Sequence, residues 1–229
     1  MDISSKRRSV VYNNNCVDDI VLNNVNKCRD LGVLIDEKLT FRAHVIDLVA
    51  RAKQRMSLIL RSFVSRDPQL LMQSFKSFIL PIVDYCSQVW SPYLIQDILL
   101  IESIQRRFTK RIPGLARLSY TERLTLLNSQ TLERRRLEFD LILCFKILRG
   151  FIQGPPEAYG LVLSQRRSRG HSLKIDSNQT KTDLRKFYFA SRVREPWNSL
   201  TEKLIMSNTI KQFKTGLHEV NLNKFLIMI

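Results

Sequence analysis

The chain has 229 residues, of which 44% are hydrophobic and 25% charged, and this balance is typical of folded globular proteins. Its formal net charge of +16 indicates a polyanionic partner, most commonly nucleic acid, and argues against a small-molecule substrate as the main ligand. No apolar run approaches the roughly 20 residues that a bilayer requires. We therefore expect a soluble, intracellular protein, cytoplasmic or nuclear, without a membrane partner.

The four cysteines are scattered along the chain, with no CxxC pair and no histidine nearby to complete a zinc site. They are Cys16, Cys28, Cys86 and Cys144. This pattern predicts free thiols in a reducing compartment rather than metal ligands or disulfides. No glycine-rich phosphate loop is present either, so the sequence predicts no metal and no cofactor.

The first 36 residues are predicted to contain two or three short strands, because the β-branched runs "SVVYNN", "DIVLNN" and "RDLGVLID" are separated by asparagine-rich turns. The adjacent aspartates Asp18 and Asp19 lie in this part. Polymerases that copy RNA into DNA carry such a pair, but two-metal chemistry needs a further carboxylate from an earlier strand. Since only Asp2 precedes them, we predict turn residues here and no catalytic residues.

The stretch "FRAHVIDLVARAKQRMSLILRSF" predicts a long helix, with Thr40 as its cap. An apolar stripe at alternating steps of four and three residues defines its buried face. The stripe consists of Val45, Val49, Ala52, Met56, Ile59 and Phe63. On the flank of this stripe, His44, Arg51 and Arg55 lie above one another and form the first candidate cationic cluster.

Two more helices are predicted before residue 114. The first is capped by Asp67, carries Pro68 at its first position and is kinked or ended by Pro81. The second covers "LIQDILLIESIQRRFTKRI" and stops before Pro113. Its last turns carry a second cationic cluster, formed by Arg106, Arg107, Lys110 and Arg111. The carboxylates Asp84, Asp97 and Glu102 are interpreted as surface or capping groups.

A capping box of Ser119 and Glu122 opens the next helix, and "TLERRRLEFDLILCFKILRG" predicts a further one that stops at Gly150. The latter carries a third, less regular cluster of Arg134, Arg135 and Arg136, which point in different directions around the helix. A basic loop and two shorter helices around Trp197 complete the chain. The predicted fold is mainly α: a strand region at residues 1–36, a helical bundle at 37–150, and a smaller helical part at 151–229.

Several motifs in order carry a family resemblance. They are "CRDLGVLIDEKLTF" with a histidine shortly after, "LPIVDYCSQVWSPY", "IESIQRRFTKRIPGL", "LSYTERL", "LERRRLEFDLILCFKILRG", "RSRGHSLKI", "FYFASRVREPWNSL" and "FKTGL". From about Val21 onward, this series resembles the carboxy-terminal part of reverse transcriptases of LINE-type, non-LTR retrotransposons, jockey or CR1-like. The resemblance implies the end of the palm, then the thumb and a helical extension.

In that family the catalytic aspartates lie well upstream of the "LGV" motif. The resemblance therefore implies a fragment of an RNA-directed DNA polymerase, without the catalytic palm and inactive by itself. A thumb contacts an RNA and DNA template–primer through the sugar-phosphate backbone, which requires cations but no base specificity. The three clusters named above are the candidate contacts.

Two other classes of function stay open at this point. One is a helical structural or protein-interaction module whose basic face meets acidic protein or no partner at all. The other is an independent nuclease, which ranks last because no spacing of carboxylates predicts a converging cluster, and His44, His171 and His218 lack partners at catalytic spacing. The sequence leaves the oligomeric state open.

Overall fold

The computed structural model describes residues 16–17, 20–21, 25–164, 170–176 and 183–227, and the fold is mainly α, as predicted. Strands β1 (Cys16–Val17) and β2 (Ile20–Val21) pair antiparallel. The aspartates Asp18 and Asp19 lie outside the described residues.

A second antiparallel pair, β3 (Lys27–Asp30) and β4 (Val33–Asp36), forms a hairpin. The turn residues Leu31 and Gly32 both have positive φ, 43° and 86°. Two such residues match the right-handed twist of the flanking strands, which is why this turn closes a two-residue hairpin. The prediction of short strands in this part of the chain is confirmed.

The helices follow in chain order and are short in the last third of the chain. They are α1 (Arg42–Ser62), α2 (Pro68–Phe78), α3 (Leu80–Asp84), α4 (Ser87–Trp90), α5 (Ile95–Lys110), α6 (Tyr120–Leu126), α7 (Leu132–Leu148), α8 (Asp183–Lys186), α9 (Phe189–Asn198), α10 (Glu202–Ile205) and α11 (Ile210–Glu219).

The helix boundaries follow the predicted caps in most places. The Asp67 side chain accepts a hydrogen bond from the Leu70 N–H at 2.8 Å, and the Ser119–Glu122 capping box is formed. Pro81 lies in the first turn of α3, where α2 has already ended. Because these signals act within one turn of helix, the local sequence is sufficient to predict them.

The start of α1 differs from the prediction. Thr40 is not its cap; Phe41 precedes the helix in a left-handed conformation with φ of 56°. The carboxylate of Asp36 holds this entry, accepting hydrogen bonds from the backbone N–H groups of Lys38, Thr40 and Phe41 at 3.1, 3.1 and 2.8 Å and from the Thr40 hydroxyl at 3.0 Å. The two oxygens of the Asp36 carboxylate accept four hydrogen bonds here, which is more than the single hydroxyl oxygen of Thr40 could accept.

The first hydrophobic core, here called the N-terminal core, lies between α1, α2, α3 and α5. The predicted stripe of α1 faces it: Ala52 is fully buried and Val45 is 1% exposed, while Phe63 is half-buried at the helix end. Leu48 fills a gap in the stripe and is 1% exposed. The helical period therefore predicted the buried face of α1 correctly.

The second, C-terminal core is built around Trp197 and Phe213, which are both fully buried. Helix α7 belongs to both cores: Leu132 packs in the N-terminal core, whereas Leu141, Cys144 and Phe145 pack in the C-terminal core. The change from one core to the other thus falls inside α7.

Partly buried ion pairs connect the two cores. The guanidinium of Arg192 in α9 donates to both carboxylate oxygens of Asp140 in α7, at 2.8 and 3.0 Å, and to the Gln88 carbonyl at 2.7 Å. Arg135 in α7 donates to Asp84 in α3 at 2.6 Å. Charge-assisted bonds of this kind fix the relative positions of helices that are far apart in sequence.

Candidate nucleic-acid interface

Helices α1 and α5 pack side by side in the N-terminal core, and α6 packs on α5. Where they meet, a depression of about 360 Å³ opens at the surface. We call it the cationic depression; it is lined by Lys53, Ser103, Arg106, Arg107, Lys110 and Arg123. Five of its six residues are cationic and none is acidic, so its local charge is strongly positive.

The second predicted cluster forms one wall of this depression. Arg106, Arg107 and Lys110 are all exposed and line it, whereas Arg111 is exposed at the carboxyl end of α5 but does not contribute to the lining. Within the described part of the chain, none of these four side chains forms an ion pair. The Arg106 guanidinium lies 4.5 Å from the centroid of the Tyr120 ring, a cation–π contact that orients it.

The first predicted cluster is divided by the fold. Arg51 and Arg55 are exposed on α1, although Arg51 pairs with Asp47 one turn earlier at 3.1 Å. His44, in contrast, is 2% exposed; its Nδ1 accepts the Leu34 N–H at 3.2 Å and its ring lies 5.1 Å from that of Trp90.

His44, which was predicted to contact nucleic acid, therefore lies in the interior. A buried imidazole that accepts a backbone N–H docks the β3–β4 hairpin onto α1 and cannot reach a phosphate. Burial lowers the pKa of His44 below its usual range, and the nearby charge of Arg51 lowers it further, so the ring is neutral and suited to the acceptor role.

The third predicted cluster is also structural. Arg134 donates to Gln130 and Glu138 at 3.2 and 3.1 Å, and to the backbone carbonyls of His218 and Val220 at 3.2 and 3.0 Å.

Arg135 is paired with Asp84, and Arg136 is 3% exposed. Arg134 and Arg135 are thus half-buried and bonded to protein groups, because α7 packs against several other helices. The predicted phosphate contacts at Arg134, Arg135 and Arg136 stay predictions.

The three carboxylates interpreted as surface or capping groups are less exposed than expected. Asp97 is 2% exposed and accepts a hydrogen bond from Arg42 at 2.5 Å. Glu102 is fully buried and does act as a cap: it accepts the Leu132 and Glu133 N–H groups at the start of α7, at 3.1 and 3.3 Å. It also accepts the Tyr120 hydroxyl, which ties α5, α6 and α7 together.

Two cations of the depression, Lys53 and Arg123, were not among the predicted contacts. Lys53 follows the buried Ala52 on α1, and it faces α5 only because the two helices pack side by side. Arg123 lies in the short α6 and is 5% exposed. No local signal marks either residue, since their placement depends on which helices meet.

Within the residues that the structure describes, no three His, Cys, Asp or Glu side chains come close enough together to hold a metal ion. No helix in that part of the chain is long and apolar enough to cross a bilayer.

The chain is similar to parts of two known proteins. One is an uncharacterised protein of Caenorhabditis elegans, 25% identical over 115 residues, which are 49% of this chain and 58% of the worm protein. The other is a probable RNA-directed DNA polymerase from the transposon X-element of Drosophila melanogaster, 28% identical over 103 residues, which are 43% of this chain and 11% of the fly protein.

The chain thus spans little more than half of the worm protein and about a tenth of the fly polymerase. No family model and no solved structure matches it. The similarity to the fly polymerase agrees in part with the resemblance read from the motifs and points to a reverse-transcriptase-like origin.

Proposed function

We propose that this chain is a non-catalytic, thumb-like part of an RNA-directed DNA polymerase from a LINE-type, non-LTR retrotransposon, and that it binds an RNA and DNA template–primer in the cytoplasm or nucleus. The observation that carries the proposal is the cationic depression, whose lining from α1, α5 and α6 contains five cations and no carboxylate. The partial similarity to the fly transposon polymerase supports the choice of partner.

The contact is made through phosphates. Exposed arginines and lysines on two adjacent helices follow the backbone of a duplex, whereas base recognition needs an element inserted in a groove. The proposed set is Arg106, Arg107, Lys110 and Lys53 around the depression, extended by Arg51, Arg55 and Arg111 on the same two helices. Such contacts release counterions, so binding weakens as salt rises.

The experiment compares two double charge reversals with equal changes in net charge. Arg107→Glu with Lys110→Glu alters the depression, and Lys211→Glu with Lys214→Glu alters exposed lysines of α11. Fluorescence anisotropy measures the affinity of each for a labelled RNA–DNA hybrid. With about six phosphates neutralised, parent affinity falls roughly 10³-fold between 50 and 200 mM salt.

We expect the first pair to lower affinity at least tenfold and to reduce the salt slope by about 2, because it removes about two phosphate contacts. The α11 pair should stay within twofold of the parent. Equal losses in both variants, or parent binding that is indifferent to salt, would contradict the proposal. Preference for polyglutamate over the hybrid would instead favour the alternative, a helical module that binds acidic protein.

A further inference from the structure

We propose that the cationic depression is a built site for a single phosphate group, with Arg123 as its anchor. The inference deepens the proposed function and rests on it for the source of the phosphate. It distinguishes the position next to Arg123 from the rest of the basic surface, and the distinction depends on the environment of Arg123.

Arg123 is a buried cation with unused hydrogen-bonding capacity. Its side chain is 5% exposed, and its Nε is buried with no hydrogen-bond partner among the described residues. It forms no ion pair there either. A guanidinium presents five N–H donors, and a buried charge without compensation is destabilising by several kcal/mol. Arg123 is also one of the residues that line the depression, which places this unused donor capacity next to the space that an anion would fill.

The neighbouring carboxylates are engaged elsewhere. Glu102 is occupied by the Tyr120 hydroxyl and two N–H groups of α7. Glu122, next to Arg123 in sequence, belongs to the capping box with Ser119. Among the residues that the structure describes, Arg123 thus has no carboxylate as an ion-pair partner.

The Tyr120 ring contacts two arginines of the depression and restricts their positions. Its hydroxyl is fixed on Glu102, and the guanidinium groups of Arg106 and Arg123 lie 4.5 and 5.6 Å from its centroid. Burial raises the pKa of Tyr120, and the Glu102 charge raises it further, so the phenol keeps its proton and its bond to Glu102. Both arginines contact this one ring and line the same depression.

The chemistry of the remaining wall favours phosphate. Arg107, Lys110 and Lys53 add three further charges, and arginine pairs with phosphate through two parallel N–H bonds. Ser103 donates its hydroxyl to the Leu100 carbonyl at 2.6 Å, so it shapes the wall but is not a ligand. The site would accept either an internal phosphodiester or a terminal phosphate monoester.

The test observes Arg123 directly. The Nε–H signal of Arg123, assigned by comparison with Arg123→Lys, is followed in ¹⁵N-correlated NMR spectra of the full chain. Three probes are titrated: inorganic phosphate, a DNA oligonucleotide with a 5′-phosphate, and the same oligonucleotide with a 5′-hydroxyl. We expect all three to shift the signal. If the two phosphorylated probes alone shift it, the site takes the terminal monoester.

Substitutions of Lys53 and Arg106, which line the depression, test the site without replacing the buried Arg123. Lys53→Gln should weaken phosphate binding about fivefold and Arg106→Gln about tenfold, the effects of one half-buried and one oriented charge. Lys211→Gln on α11 is the matched control and should leave phosphate binding unchanged.

The two proposals fail separately. If the RNA–DNA hybrid binds with the predicted dependence on Arg107 and Lys110 but no probe shifts the Arg123 signal, the phosphate site is refuted and the proposed function stands. If inorganic phosphate shifts the signal but the RNA–DNA hybrid does not bind, the site stands and the proposed function is refuted. Equal weakening by Lys211→Gln and Lys53→Gln would also refute the site, because binding would then be an effect of net charge.

Discussion

Replacing Glu102 by alanine is expected to be among the most destabilising single changes in the N-terminal core. The side chain is fully buried and accepts hydrogen bonds from the Tyr120 hydroxyl and from the N–H groups of Leu132 and Glu133. These donors belong to α6 and α7, whereas Glu102 belongs to α5. The substitution therefore leaves three donors without an acceptor where three helices meet.

The expected loss of stability in Glu102→Ala follows from the number of hydrogen-bond donors that lose their acceptor. A buried donor left unsatisfied costs about 1–3 kcal/mol, and bonds to a charged acceptor lie toward the upper end. Because water entering the space left by the side chain replaces some of the lost bonds, we expect a total of about 3–5 kcal/mol. Glu102→Gln retains one carbonyl oxygen of the same shape and should cost about 1–2 kcal/mol.

Urea unfolding followed by far-ultraviolet circular dichroism measures these differences in the free energy of unfolding. Glu219→Ala, at an exposed position of α11, is the control and should change stability by less than about 0.5 kcal/mol. Amide exchange adds a local readout, because the N–H groups of Leu132 and Glu133 should lose protection in Glu102→Ala. If Glu102→Ala were within about 1 kcal/mol of the parent, the reasoning about Glu102 would be wrong.

Three further predictions concern other buried groups. The pKa of His44 is lowered by burial, so the unfolded chain takes up the proton first and stability should fall as pH drops below 6.5. His44→Gln should flatten that part of a urea-midpoint profile, and an unchanged profile would contradict the assignment. Asp140→Ala should cost about 3–5 kcal/mol in urea unfolding, because it leaves the Arg192 guanidinium unpaired, and Arg192→Met in the same chain should restore part of the loss. Arg134→Gln should lower stability by about 1–2 kcal/mol yet leave hybrid affinity within twofold; a tenfold loss of affinity would return Arg134 to the interface.

Much of the secondary structure was predictable because its signals are local. The period of the apolar stripe predicted the buried face of α1, and Asp67, Pro81 and the Ser119–Glu122 pair predicted helix boundaries correctly. These features depend on residues within one or two turns of each other, so no knowledge of distant contacts is needed. The entry to α1 was predicted wrongly because Asp36 reaches it from the preceding strand.

The candidate site was only partly predictable. Arg106, Arg107 and Lys110 follow from their positions on one amphipathic helix, but the same reasoning included Arg134 and Arg135, which are engaged by partners on other helices. Their partners are 84 and 51 residues away in sequence. Whether an arginine is available to a ligand depends on which side chains pack against it. These packing partners cannot be deduced from the amino-acid sequence alone.

The amino-acid sequence by itself thus determined that the chain is basic and mainly helical, because composition, period and capping are properties of short segments. The tertiary structure decided which charges are available: it buried His44 against Trp90, paired Arg135 with Asp84, and placed Lys53 and Arg123 beside the cations of α5. The physical reason is that burial and ion pairing depend on contacts between elements distant in sequence, and these exist only once the helices have packed.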